Sequence, residues 1–325
     1  MKSFIKIFAI AFVCFTLLFG GVVLAILKMP NDGPSNAIKP DPDPIPEQSA
    51  NEAPEKPKKI EKTELQKLTE KSSRINVLLM GLEGTRTDTM ILASFDPESK
   101  KVDLISIPRD TYHETAGYTR ADQKKINAVY GFKRDNGGGP EGVMKAVANI
   151  LKVPIHHYVT MSYKGVENIV DSLGGVKVNI PFNMDYDDPY SKPPLHIHFK
   201  KGTRVLKGKD AIKFLRYRKN NDGTHSDGDI GRIKRQKQFV KSAAKSALNL
   251  KKLPAVARTV FKFVKTDMEL DQIVYYATKA VGISENDIET YTLPGKPKGI
   301  SYYIYDSTET KNLMIQIYKN GSGEQ

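Results

Sequence analysis

Residues Ile7 to Leu27, "IFAIAFVCFTLLFGGVVLAIL", carry no charge over about 21 consecutive positions. A helix rises about 1.5 Å per residue, so this run matches the hydrocarbon core of a bilayer. The chain is therefore expected to divide into a short tail (1–6), a transmembrane anchor (7–27) and everything that follows. Lys2 and Lys6 precede the run, and an acidic, proline-rich stretch comes after it. The positive-inside tendency then leaves the tail in the cytoplasm and puts the bulk of the protein outside. A cleaved signal peptide is the competing reading, although the run is long for one and lacks a clear A-x-A site.

"PNDGPSNAIKPDPDPIPEQSANEAPEKPKK" (30–59) has a proline every few residues and almost no large apolar side chains. Such a segment cannot bury a core, and residues 28–73 are expected to form an extended tether. Ordered structure is expected from about Arg74, in a single domain over 74–320. The net charge is +13, which calls for an anionic partner: nucleic acid, anionic lipid or a phosphate-bearing polymer. One cysteine excludes both a disulfide framework and a cysteine-based zinc cluster.

Beyond the tether, strand and helix patterns alternate. "INVLLMG" (75–81), "TMILASF" (89–95) and "KVDLISI" (101–107) read as buried strands. "GPEGVMKAVANILK" (139–152) reads as a helix, "HYVTMS" as a strand, and "YKGVENIVDSLGG" as a helix closed by Gly174 and Gly175. "VKVNIP" and "LHIHF" are further strands. Helices follow near 208–215 and 229–249, with more helix between Pro254 and Ile283. "ETYTLPG" and "SYYIYD" are late strands. The pattern predicts an α/β protein, a three-layer α/β/α sandwich, and the closely spaced early strands make its sheet mixed.

Several polar clusters fall at strand ends. In "GLEGTRTDTM", Arg86 and Asp88 would share one face of an extended segment, just after Glu83. In "SIPRDT", Pro108 ends ladder pairing and presents Arg109 beside Asp110. "KKIN" places Lys125 and Asn127 at the same two-residue spacing. Each could be an exposed turn. Each could equally be a phosphate site, since crevices beyond strand ends bind ligands and a guanidinium fork suits phosphate oxygens. "FLRYR" sets Arg216 and Arg218 at the exit of a helix. "DGDIGRIKRQKQF" puts Arg232, Arg235 and Gln236 on one helical face, with Ile233 and Val240 on another. A solvated face explains Lys234 and Lys237 well, but it explains tightly spaced arginines less well.

Other patterns fail. "SAAK" (242–245) fits S-x-x-K but sits in an amphipathic helix with no K-T-G downstream. "HIH" (196–198) puts two imidazoles on one strand face with no third ligand evident. There is no phosphate-cradling glycine loop.

Taken together, "INVLLMGLEGTRTDTMIL", "VDLISIPRDTY", "KINAVYGF", "IVDSLGGVKVNI", "LKGKDAIKFLRYR" and "DIGRIKRQKQF" resemble, in order, the motifs of the LytR–CpsA–Psr family. The resemblance implies a membrane-anchored enzyme of the bacterial wall, of Gram-positive type. It would transfer a phosphate-linked glycopolymer of teichoic acid, teichuronic acid or capsule type. The donor would be an undecaprenyl-pyrophosphate carrier and the acceptor the C6 hydroxyl of N-acetylmuramic acid in peptidoglycan. Mg²⁺, or Mn²⁺ in its place, would assist, and an apolar tunnel would take the lipid.

By motif, Arg86 and Arg109 would hold the pyrophosphate, with Arg216, Arg218, Arg232, Arg235 and Gln236 completing the clamp. Lys125 and Asn127 would line the same pocket. Asp88 would be a metal ligand, with Asp110 beside it. Glu83 stands where the family generally has aspartate, and the stretch from it to Arg86 is short; both features tell against Glu83 as a third ligand. The catalytic set implied is Arg86, Asp88, Arg109 and Asp110. Two rival functions stay open: a binding module for wall polymer or polyprenyl pyrophosphate without turnover, and a nucleic-acid binder. Against the second, the basic residues lie beyond the membrane and no helix-turn-helix or aromatic RNA signature occurs, so nucleic acid is not the expected partner.

Overall fold

The computed structural model describes residues 37–41, 62–190, 194–217, 219–225, 262–283, 287–299 and 301–321, with isolated positions between 235 and 259. The apolar run 7–27 lies outside the described residues. Among those described, no helix is long and apolar enough to cross a membrane.

Three strands build the centre: β1 (Ile75–Glu83), β2 (Arg86–Phe95) and β3 (Val102–Ile107). They form an antiparallel meander, Ile75 opposite Phe95 and Phe95 opposite Val102. β4 (His157–Ser162) adds parallel to β1 and β10 (Ile288–Thr292) parallel to β3, while β9 (Val264–Thr266) closes the far edge antiparallel to β4. The order β10-β3-β2-β1-β4-β9 is a mixed sheet, as the strand spacing predicts. Within 254–283, where more helix is expected, the helix Leu270–Lys279 is present and a short strand stands before it. That strand is β9, where Val264–Thr266 supplies the missing edge pairing for β4. The helix expected over 229–249 lies mostly outside the described residues.

Strand alternation sends side chains to two separate cores, one per sheet face. Leu78, Met80, Met90, Leu92 and Ile105 pack with Val143, Val147 and Leu151 of the helix Gly139–Leu151 and with Met314 and Ile317 of the helix Ser307–Gly321. Val77, Leu79, Ile91 and Ala93 pack with Val170 of the helix Tyr163–Ser172 and with Ala211 and Phe214 of the helix Gly208–Arg216. The last two helices cross closely: a Cβ on Gly208 would stand 2.3 Å from the Glu167 carbonyl oxygen. Three layers result. Two ribbons stand apart from the main sheet: β5 (Val176–Ile180) with β8 (Gly202–Leu206), and β6 (Met184–Asp188) with β7 (Leu195–Phe199).

Ordered structure begins ahead of Arg74, which corrects the expected boundary. Thr63 caps a helix over Glu64–Lys71 whose Leu65 is buried in the core shared with Met314 and Ile317, and Lys319 bonds Glu64. Ile38 exchanges backbone hydrogen bonds with Ile155. These segments are short and polar in composition, and only docking against the body reveals their apolar contacts.

Candidate active site

The turn joining β1 to β2 has two residues, with Gly84 at φ +61°, so Glu83 pairs directly with Arg86. Just inside it the register shifts: Gly81 faces Thr89 but Leu82 faces Thr87, which leaves Asp88 as the extra residue of a β-bulge. Bulges re-aim side chains. Here Arg86 and Asp88 both reach one cleft, although the bulge breaks the simple alternation that would have paired them.

β3 stops at Ile107, and the Pro108 carbonyl accepts from the Thr111 amide at 3.0 Å, forming the turn that presents Arg109 and Asp110. A second strap holds this turn: Ile126 N–H donates to the Thr111 carbonyl and Asn127 N–H to the Arg109 carbonyl, which places Lys125 and Asn127 alongside. A third comes from the C-terminal part of the chain, where the Tyr303 amide donates to the Asp110 carbonyl at 2.9 Å.

The cleft, about 420 Å³, is lined by Glu83, Arg86, Asp88, Arg109, Asp110, Asp122, Lys125 and Asn127. Its basic groups are held by carboxylates. Arg109 Nη1 donates to Asp88 Oδ1 at 2.8 Å, and its Nε stands 3.8 Å from Asp110. Lys125 Nζ donates to Asp110 Oδ1 at 2.8 Å. Arg86 donates to Asp122 Oδ2 at 2.9 Å and to Asn127 Oδ1 at 3.3 Å. Arg216, the last residue of its helix, reaches Glu83 at 3.6 Å and lies over the Tyr163 ring. Burial opposes charge on Arg109, but Asp88, Asp110 and Glu83 outweigh it and raise the guanidinium's proton affinity.

Glu83 and Asp88 form the informative pair. Burial first, and then the hydrogen bond and repulsion from Asp88, push the Glu83 carboxyl above its ordinary range, with Arg216 and Arg109 pulling the other way. A carboxyl raised by burial and by a neighbouring carboxylate is set up to take a proton or a cation. Hard oxygen donors of this kind suit Mg²⁺ or Mn²⁺, so the residues present fit such an ion. The short connection from Glu83 to Arg86 is a hairpin turn, and it brings the Glu83 carboxyl to Asp88.

Arg235 departs from the expected clamp. It is 3% exposed, Nη2 donates to the Tyr217 carbonyl at 2.8 Å, and burial lowers its pKa to about 10. It braces the chain after Arg216 and does not line the cleft. Arg218, Arg232 and Gln236 lie outside the described residues. The sequence reading missed Asp122 and Tyr303. Asp122 sits in a polar run with no periodic signal, and Tyr303 arrives from nearly two hundred residues away.

The LytR_cpsA_psr family model matches residues 46–319. The chain belongs to the LytR_cpsA_psr family. Among curated members it is 30% identical over 258 residues to the polyisoprenyl-teichoic acid–peptidoglycan teichoic acid transferase TagV of Bacillus subtilis, covering 75% of this chain and 63% of TagV, just under two thirds of that relative's length. It is 31% identical over 266 residues to the transferase TagU of Oceanobacillus iheyensis, covering 78% of each. The crystal structure of B. subtilis TagV superposes with a TM-score of 0.55 at 28% identity, covering 78% of this chain and 99% of that one. The family's mixed α/β fold is thus present here, with the cleft at the ends of its central strands.

Proposed function

We propose that this family member is a transferase that moves a phosphate-linked polymer of teichoic acid type from a polyisoprenyl-pyrophosphate carrier to peptidoglycan, forming a phosphodiester at the C6 hydroxyl of N-acetylmuramic acid. The observation that carries the reading is the convergence of Arg86, Arg109, Lys125 and, against Glu83, Arg216 at one cleft containing a paired carboxyl site. Family membership and the names of the relatives support the substrate class.

A diphosphate entering the cleft offers oxygens that replace the resting carboxylate partners of Arg86, Arg109 and Lys125. Those groups then bind and orient it through charge-assisted hydrogen bonds. The acceptor hydroxyl attacks the polymer-side phosphorus and the bridging P–O bond breaks. Polyisoprenyl phosphate leaves, carrying the electron pair and the charge that the arginines stabilise. Asp110 takes the hydroxyl proton, since Asp88 is engaged with Glu83. A divalent ion such as Mg²⁺, or Mn²⁺, held by Glu83 and Asp88 with Asp110 nearby, supplies further neutralisation of the diphosphate when bound. The lipid tail is taken into an apolar tunnel. The run 7–27 anchors the chain in the cell membrane, with this domain outside and facing the wall.

The test is to place the full-length chain in liposomes with Mg²⁺, a lipid-pyrophosphate polymer precursor and uncrosslinked peptidoglycan. Polymer should become covalently attached as polyisoprenyl monophosphate is released. Asp88→Asn should still bind precursor yet fail to transfer. Binding by the wild type without attachment would establish a receptor and overturn the transferase reading.

A further inference from the structure

Two imidazoles that the sequence leaves without a third ligand acquire one in the fold. β6 pairs with β7 in the register Asp185 opposite His198 and Asp187 opposite His196. Met184, Leu195, Ile197 and Phe199 turn to the core, so the two aspartates and two histidines occupy the other face of the ribbon. Alternation alone asks only for polar residues there. Side chains of types able to ligate a metal stand at all four positions.

Their contacts divide them into two roles. His198 Nδ1 is 2.6 Å from Asp185 Oδ1, while its Nε2 points back across the ribbon and lies 3.4 Å from Asp187 Oδ1. His196 Nδ1 hydrogen-bonds the same Asp187 oxygen. One ligand atom each from Asp187, His196 and His198 falls within 4.8 Å of the others. Ligand atoms about 2.1 Å from a tetrahedral ion stand about 3.4 Å apart, close to the separation of Nε2 from Oδ1. Asp185 holds the far nitrogen of His198, the carboxylate–histidine arrangement that fixes a ligating imidazole's tautomer and orientation.

We propose that Asp187, His196 and His198 form a binding site for a divalent transition ion of the Zn²⁺ class, with Asp185 orienting His198. Two imidazoles favour such an ion over Mg²⁺, which takes oxygen donors. The ion replaces the proton shared between His196 and Asp187, and water completes its coordination on the exposed side. This site is separate from the arginine cleft and independent of the transferase reading. It also has a mechanical consequence. The Asp185 amide donates to Asn220 Oδ1 at 2.7 Å, and the Asn221 amide donates to the Asp185 carbonyl at 3.1 Å. Tyr217 Oη donates to the same Asn220 oxygen. An ion clamping β6 to β7 therefore stiffens the support of the segment that leaves Arg216.

The experiment is calorimetric titration of metal-stripped full-length protein in detergent with Zn²⁺, under saturating Mg²⁺ so that the carboxyl pair of the cleft is occupied. Wild type and Asp88→Asn should each take up one equivalent of Zn²⁺. The combined His196→Ala and His198→Ala variant should lose it. Asp185→Asn should retain it with affinity about 10–100-fold weaker. Zn²⁺ should raise the melting temperature of the wild type and leave that of the double variant unchanged. These histidines are exposed, so the double variant keeps its fold, which its melting temperature without Zn²⁺ verifies. Absence of uptake by the wild type, or equal uptake by the double variant, overturns the proposal.

Discussion

Arg109→Ala tests the cleft most directly. The guanidinium bonds Asp88 at 2.8 Å and approaches Asp110 at 3.8 Å, yet its side chain is 51% exposed. Little packing is lost on truncation, so stability should stay within about 0.5 kcal/mol of wild type. Transfer should suffer far more. Loss of one preorganised donor aimed at developing charge costs about 10²–10³ in rate, or ~3–4 kcal/mol. Arg109 is also one of the cations that draw Glu83 down, against burial and Asp88, which push it up. Without Arg109 the Glu83 carboxyl holds its proton to higher pH, and the acid limb of the pH–rate profile should move upward. Arg109→Lys keeps the charge but not the fork, and should recover only part of the rate. The assay follows labelled polymer becoming attached to peptidoglycan by the full-length chain across a pH series, with melting temperatures alongside. A well-folded Arg109→Ala protein that transfers at an undiminished rate, with an unshifted profile, would refute the reasoning.

Three further outcomes follow from the same contacts. Glu83 has a raised folded-state pKa, so its contribution to stability is complete below the ordinary carboxyl range and is lost as pH climbs through the raised value. Glu83→Gln should therefore melt higher than wild type at neutral pH without divalent ion, and Mg²⁺ should raise the wild-type melting temperature far more than the variant's; a wild type that gains nothing from Mg²⁺ removes this pair as ion ligands. The Arg74–Asp103 salt bridge is buried, with side chains 0% and 8% exposed, and leaving Asp103 without its partner in Arg74→Met should cost about 3–5 kcal/mol in urea unfolding. A loss below ~1 kcal/mol would mean that water reaches the carboxylate. Gly208→Ala forces a methyl to within 2.3 Å of the Glu167 carbonyl, so it should destabilise by about 1–3 kcal/mol and slow transfer by displacing Arg216; an unchanged melting temperature would show that the two helices can separate freely.

Most of the central sheet was legible because β1, β2 and β3 are built on runs of mostly apolar, mostly buried residues bounded by turn residues. Pro108 could be read as a strand end because proline lacks the amide that pairing needs. The bulge at Asp88 could not be read, since a register shift depends on both strands at once. The helix Glu64–Lys71 was hidden for a related reason: its single buried side chain, Leu65, gives almost no periodic signal, and its partners lie at the other end of the chain. Arg235 looked like Arg232 in sequence, and only the position of Tyr217 made it a buried brace.

The chain's chemistry was set by side-chain type. Guanidinium groups at strand and helix ends, carboxylates beside them and an uncharged N-terminal run can be recognised without coordinates, because charge and donor geometry belong to each residue. Which of them meet was decided by the fold. Glu83 reaches Asp88, and Asp187 reaches two histidines, through pairing between strands, a relation that no single stretch of chain contains.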